Sequence, residues 1–513
     1  MRIGLLTLVV LLSLPLAAQS VREVTTVEVV EVPVYVTDHG KPVPGLTREN
    51  FRLLVNGKPQ SVDYFDIVDF AGLSADEVQN PKQRRLYFLL FDLTSEPFTI
   101  LRACTAVDEF VQQAGPADMF AVATLDNNRL NVVVPFTRNR DPIRRGIRSL
   151  RTETRDPLRL TADSPTLTVM ESPRWNLGDD ELVRNSLTEM MDDLGAEPER
   201  RRVEHRIELL DRLARQLAPL EGHKHVVLFS TGFDAKVVLG GPSARQLVDV
   251  RQGPLRPITE RLHPAPRGAP KTESRLLQIL GEMNTRYAGA SVFLDAIDIA
   301  GLRSTWGGGG KEALYMLART GQVIANRNDL ADAIGDLTDT QRIVYVLGFH
   351  ARAARKTNSI RVQLANVPGS PRVSYRRSFS SVPSSGTSAL FLADIVANDI
   401  PQNGLSVAAA IDTAKPRTAT LSITIPGREL LAFGGNRVSA QALLYVFSAA
   451  GAVAFQGKDI EIDTKRAAGL EELDIGFRRT FELEPGTYVA KVLVRVIGTD
   501  VRGFARREFT VTN

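Results

Sequence analysis

Six apolar residues in an unbroken row, Leu86-Tyr87-Phe88-Leu89-Leu90-Phe91, constrain this chain more than any other feature. A strand with one face in water alternates apolar and polar residues, whereas an unalternating row belongs to a strand covered on both faces. Residues 99–113 follow with Ile100, Ala103, Val107, Phe110 and Val111 on one side, predicting a helix that Gly115-Pro116-Ala117-Asp118 stops. Strand-like stretches at 119–125, 131–136, 225–229 and 291–295 then take turns with helical ones at 274–287 and 312–319, and 330–337 and 344–349 close the series. This alternation predicts an α/β fold over 84–350, a doubly wound, mainly parallel sheet with helices on both faces.

Two long stretches interrupt the rhythm. Residues 151–221 include a charged helical segment over about 179–217, with apolar spacings of three and four, and 236–271 is rich in Pro, Gly and Arg and reads as a covering loop.

The flanks have period two. Valines recur over 24–36 before the turn Thr37-Asp38-His39-Gly40-Lys41-Pro42, and Asn56-Gly57 separates strand-like 51–55 from 61–65, giving an N-terminal β-domain over 21–70. Beyond the α/β region, 360–364 and 372–376 read as a hairpin within 351–380, and 378–387 is a Ser-rich connector. Short strands over 389–513, with the tight turn Leu483-Glu484-Pro485-Gly486, predict a C-terminal β-domain. Both flanking domains are expected to be β-sandwich-like.

Residues 1–20 carry Arg2, an apolar run over 3–16 too short to span a bilayer, and the small-x-small exit Ala18-Gln19-Ser20. They read as a cleaved signal peptide, so the protein is expected to be exported, periplasmic or extracellular, with no transmembrane segment. A single cysteine among 513 residues, Cys104, rules out internal disulfides and suits helix packing. With 63 basic against 59 acidic residues the net charge is +4, too weak to imply nucleic acid as a partner.

Three local motifs suggest chemistry and do not sustain it. His223 and His225 flank Lys224 without a third ligand and read as a solvated pair. Leu228-Phe229-Ser230-Thr231-Gly232 lacks the G-x-S-x-G spacing of a hydrolase elbow. Gly307 to Gly310 precede Lys311, but Glu312 stands where a phosphate loop needs Ser or Thr, so the run reads as a flexible loop.

The segment Asp92-Leu93-Thr94-Ser95-Glu96, at the end of the buried strand, resembles the opening of a von Willebrand factor A domain, where Asp-x-Ser-x-Ser follows the first strand. More narrowly, the chain resembles the related exported proteins of acidobacteria. The likeness is carried by 30–46, Glu49-Asn50-Phe51, Asn56-Gly57-Lys58-Pro59, 225–233, 290–293 and 345–349, in order over 24–378. That resemblance implies a metal-ion-dependent adhesion site at the strand C-termini, in which Mg²⁺ or Mn²⁺ is held by hard oxygen ligands and completed by a partner's carboxylate. Residue by residue, Asp92 matches the first Asp, Thr94 replaces the first Ser, and Glu96 stands at the second. The loop threonine falls among Thr152, Thr154 and Thr161. Where members read Ser/Thr-Asp-Gly, this chain has Ser230-Thr231-Gly232, leaving Asp234 as a displaced carboxylate. Such a site is degenerate; Ser95, Ser230, Thr231 and Asp234 complete the implied binding surface. On residue type alone, Asp92 and Thr94 also suit capping the next helix.

Two functions follow. The first is recognition of a protein or cell-surface ligand by the strand C-terminal face, without turnover. The alternative is an extracytoplasmic hydrolase with a site under the long insertions, which needs a nucleophile, a base and an orienting acid that six histidines do not supply in any evident cluster. Recognition is the expected function.

Overall fold

A computed structural model describes residues 28–126, 129–155, 197–239, 271–302, 310–351, 357–380, 388–433, 437–449, 451–463 and 472–512. The signal segment 1–20 and Thr161 lie outside the described residues.

The chain opens with strands β1 (Glu28–Asp38), β2 (Lys41–Pro42), β3 (Phe51–Val55), β4 (Lys58–Gln60) and β5 (Tyr64–Asp69), then helix α1 (Ala75–Gln79). At the β3–β4 turn Asn56 and Gly57 both take positive φ, 51° and 78°, the geometry that makes Asn-Gly a two-residue hairpin. The central region runs β6 (Arg85–Asp92), α2 (Pro97–Gln113), β7 (Asp118–Leu125), β8 (Leu130–Thr137), α3 (Arg140–Arg155), α4 (Glu197–Leu217), β9 (His223–Ser230) and α5 (Lys236–Leu239). It continues through α6 (Lys271–Gly289), β10 (Val292–Asp298), α7 (Lys311–Leu317), β11 (Val323–Ile324) and α8 (Leu330–Thr340).

Six of these strands form one sheet in the order β11-β10-β9-β6-β7-β8, parallel throughout except that β8 runs antiparallel to β7. The unalternating row is buried on both faces because alternate residues feed two cores. Leu86, Phe88 and Leu90 pack with α4, α6 and α7, including Ile207, Leu280 and Leu314. Tyr87, Leu89 and Phe91 pack with α2, α3 and α8, including Val107, Ile147 and Ile334. Chain order leaves β6 toward β7 on one side and returns through β9 on the other, so the sheet has its topological switch point at β6 and β9.

The next strands are β12 (Ile343–Ala351), β13 (Thr357–Leu364), β14 (Arg372–Tyr375) and β15 (Ser378–Ser380). Here the observed pairing departs from the sequence-based expectation. Residues 344–349 do not close the parallel sheet: β12 inserts antiparallel between β1 and β5. Nor do 360–364 and 372–376 pair with each other, since β13 joins β3 and β14 joins β1. Segments 28–69 and 343–380 therefore build one body of two sheets, β14-β1-β12-β5 and β15-β13-β3-β4, over a shared core of Val32, Val34, Leu53, Tyr345, Leu347 and Val362. Local periodicity fixes which residues are strands, but partners three hundred positions apart are set by tertiary packing.

This β-body covers the central sheet through Tyr35, Val68, Phe70, Phe293 and Val344. It corrects the reading of the histidine pair as solvated, because both residues are buried beneath it. His225 meets the Tyr35 hydroxyl at 3.1 Å and Asp295 at 3.2 Å, and Gln341 donates to that same Asp295 oxygen at 2.9 Å. His223 packs edge-on against Phe70, and burial above all, with the nearby basic side chains His225, Arg85 and Lys224, pushes its pKa down to about 3.

The C-terminal region opens with a helix where strands were expected, α9 (Ala389–Ala397), capped by Ser388, whose side chain accepts from the Phe391 amide. Its Asp394 forms a buried ion pair with Arg84 that fastens this region to the central sheet. Beyond it come β16 (Ala408–Asp412), β17 (Thr418–Pro426), α10 (Gly427–Leu431), β18 (Arg437–Ser448), β19 (Gly451–Asp463), β20 (Asp474–Glu482), β21 (Gly486–Val496) and β22 (Arg502–Val511). They form sheets β16-β17-β20 and β19-β18-β21-β22 around one core that includes Leu421, Ile423, Leu444 and Val492. No described helix is long and apolar enough to cross a membrane.

Candidate functional site

The C-terminal ends of β6 and β9, the switch point of the sheet, are where open α/β sheets leave a crevice for ligands. Asp92 ends β6 and Ser230 ends β9, each 1% exposed. By strand alternation both face the α4 side, as does Asp298 at the end of β10, which stands level with Ser230 in the register.

Asp92 is the hub. Its Oδ1 accepts the Thr94 hydroxyl at 2.6 Å and the Thr94 amide at 3.1 Å. Its Oδ2 accepts the Ser230 hydroxyl at 2.5 Å and the guanidinium of Arg206, on α4, at 3.2 Å. A second nitrogen of Arg206 donates to the Thr94 hydroxyl at 2.6 Å. Behind this cluster the Ser95 hydroxyl accepts the Thr231 amide at 3.1 Å, and the Gly232 amide donates to Ser230 at 2.9 Å.

The glycine after β9 has a spatial cause. Gly232 takes φ +75°, and a Cβ on it would lie 2.0 Å from the carbonyl oxygen of Gly310; a Cβ on Gly310 would lie 2.2 Å from the carbonyl oxygen of Thr231. At its last residue, then, the four-glycine run is packed backbone to backbone against the site, where a flexible loop was expected.

The sequence-predicted residues divide. Asp92, Thr94 and Ser230 meet directly, and Ser95 pairs with Thr231. Ser95 and Ser230 are buried, so they support the implied binding surface without forming its exposed part. Asp234 is exposed past the turn, and Glu96 is the exposed N-cap position of α2, bonding the Thr99 amide and hydroxyl through its backbone carbonyl. Capping by Asp92 and Thr94 is thus not what is seen; they bond each other and Arg206. Thr152 and Thr154 fall within the backbone of α3.

As they stand, these residues do not fit a divalent ion. Four donors already fill both oxygens of Asp92, and the Thr94 hydroxyl is committed on both sides. Among the described residues no three His, Cys, Asp or Glu side chains are grouped to hold a metal. The cation beside Asp92 is a guanidinium.

Sequence reasoning missed Arg206. Its signal was present: Arg206 lies in the apolar stripe of an amphipathic helix, three residues after Val203 and next to Ile207, both buried. An arginine on that stripe requires a buried anion, and the end of β6 provides one.

No family model matches this chain, and no curated protein matches it by sequence. Solved structures similar to it include the SpRpn10 VWA domain, at 10% identity over 49% of this chain and 94% of that one, with a TM-score of 0.21. The TFIIH p34 N-terminal domain is 11% identical over 50% of this chain and 97% of its own, with a TM-score of 0.21. The ArnB paralog VWA2 from Sulfolobus acidocaldarius is 10% identical over 95% of this chain and 76% of its own, with a TM-score of 0.23. At scores this low the strand order, and not the likeness, establishes a mixed α/β fold around a mainly parallel sheet.

Proposed function

We propose that the chain is an exported binding protein of the von Willebrand factor A type, akin to the related exported proteins of acidobacteria. It engages a protein or cell-surface partner through the strand C-terminal face, in the periplasm or outside the cell. The supporting observation is the switch point itself: Asp92 and Ser230 end adjacent strands there, under a rim that carries exposed Thr94, Glu96 and Asp234. Two large apolar side chains stand out at the same end of the sheet, Phe98 at 69% exposure and Leu302 at 66%. The loop carrying Leu302 is tied to α2, because Asn328 accepts from the Leu302 amide and from Arg102, one turn beyond Phe98. Exposed apolar groups within a polar rim are what a recognition face presents.

In this reading the site is a degenerate adhesion site that works without Mg²⁺ or Mn²⁺, and the protein binds and does not catalyse. The two-sheet bodies on either side act as β-sandwich-like spacers.

The test is chemical crosslinking of the mature chain to cell-envelope proteins. A partner captured by the wild type in the presence of EDTA, and lost in Glu96→Lys and Phe98→Asp variants that remain folded, supports the proposal. Capture unaffected by both substitutions, or hydrolytic turnover by the purified chain, refutes it.

A further inference from the structure

We propose that Arg206 is a tethered cation, occupying from within the protein the position that a divalent ion would otherwise take at Asp92. The assignment stands on geometry and concerns how the site is filled; it does not depend on which partner the face recognises.

Three observations carry it. First, the guanidinium touches both of the side chains a metal would need first, Asp92 Oδ2 at 3.2 Å and Thr94 Oγ1 at 2.6 Å. Second, Arg206 is only 7% exposed, and its Nε lacks a hydrogen-bond partner. The side chain therefore loses hydration to reach Asp92, which a surface ion pair does not require. Third, the helix that delivers it is held from several sides. Val203, Ile207 and Leu210 are in the core, while Glu204 pairs with Arg275 at 2.6 Å and Asp211 with Arg286 at 2.5 Å, both partners on α6. A fixed helix keeps the charge in place as a bound ion would be kept, with no equilibrium to lose it.

The donors around Asp92 are the oxygen type that suits Mg²⁺ or Mn²⁺: a carboxylate with the hydroxyls of Thr94 and Ser230. Removing the guanidinium leaves a buried carboxylate without a counter-charge beside two hydroxyls. Such a cage demands a cation, and one from solution can supply it. Helix α4 packs on the sheet just before β9 in chain order, so a helix of the α/β core itself closes the site to metal.

The experiment is thermal unfolding of the full mature chain with and without Mn²⁺, for the wild type, Arg206→Met, and Arg206→Met combined with Asp92→Asn. Methionine keeps the length and packing of the arginine stem, and Arg206→Lys serves as a second variant that retains the charge. The expected result is that wild type and Arg206→Lys ignore millimolar Mn²⁺. Arg206→Met should unfold at a lower temperature and recover by roughly 5 °C or more when Mn²⁺ is added. The double variant should show no recovery. Three results each overturn the assignment: wild type gaining a Mn²⁺ shift, Arg206→Met failing to gain one, or the double variant keeping it.

Discussion

Arg206 and Asp92 are 114 positions apart in sequence, on a helix and at the end of a strand, and their side chains meet at 3.2 Å with both buried. Neither charge is stable there alone. Asp92→Ala strands the guanidinium and two hydroxyl donors, and is expected to lower unfolding free energy by about 3–5 kcal/mol. Ser230→Ala removes one donor to Asp92 and the acceptor of the Gly232 amide but strands no charge, and should cost about 1–3 kcal/mol. Urea denaturation of the two variants, and a cycle combining Asp92→Ala with Arg206→Met, measures this. A coupling near zero between positions 92 and 206 contradicts the pairing.

The joint between the β-body and the central sheet is an apolar cluster with one buried polar contact, from the Tyr35 hydroxyl to His225. Tyr35→Phe keeps the ring against Phe293, whose centroid is 5.1 Å away, but leaves His225 without that partner. A loss of about 1–3 kcal/mol is expected. Hydrogen exchange should quicken in β1 and β9 together, and unchanged protection in both strands counts against the joint.

Acid should weaken the fold through His223. Its folded pKa is depressed to about 3 from 6.5, so between those values the unfolded chain binds a proton that the folded chain refuses. Stability is thus complete above pH 6.5 and falls as pH drops toward 3, by about 1.4 kcal/mol per pH unit. Since carboxylates also contribute to acid unfolding, the measurement is the difference between wild type and His223→Gln. The variant should show the shallower loss between pH 6.5 and 4.

Glycine substitutions should split in sign. Gly232→Ala drives a methyl into the Gly310 carbonyl and should cost several kcal/mol or displace the turn that positions Thr231. Gly281, in α6, has open space around a would-be Cβ, and alanine there should stabilise by about 0.5–1 kcal/mol. Melting temperatures moving the same way for both would contradict these local geometries.

Much of the central fold was legible because its signals are local. A row of only six apolar residues such as 86–91, followed by turn residues, suits a doubly covered strand, and Gly115-Pro116 breaks the helical pattern that precedes it. Residues 344–349 show the limit: their composition suits a strand in either sheet, and only contact with β1 decides between them. The histidines were misjudged for the same reason, since the cover over them comes from Tyr35 and Phe70, far away in sequence. At the candidate site Asp92, Thr94 and Ser230 could be nominated from strand ends. Arg206 carried a signal in its place on the apolar stripe of α4, but which anion it meets is named only by the tertiary fold.

The pairing of β1 with β14 bears on how the molecule carries mechanical load. These strands lie at opposite ends of the segment that encloses the α/β sheet, yet they are ladder neighbours, with Val34 opposite Tyr375 and Thr37 opposite Arg372. Because they run antiparallel, the end of β14 lies toward the start of β1, and the ladder holds the two ends of that segment side by side. A pull on those ends also meets the β1–β12 and β13–β15 ladders and the Arg84–Asp394 pair, so the load is shared among strand ladders and a buried ion pair instead of falling on one contact.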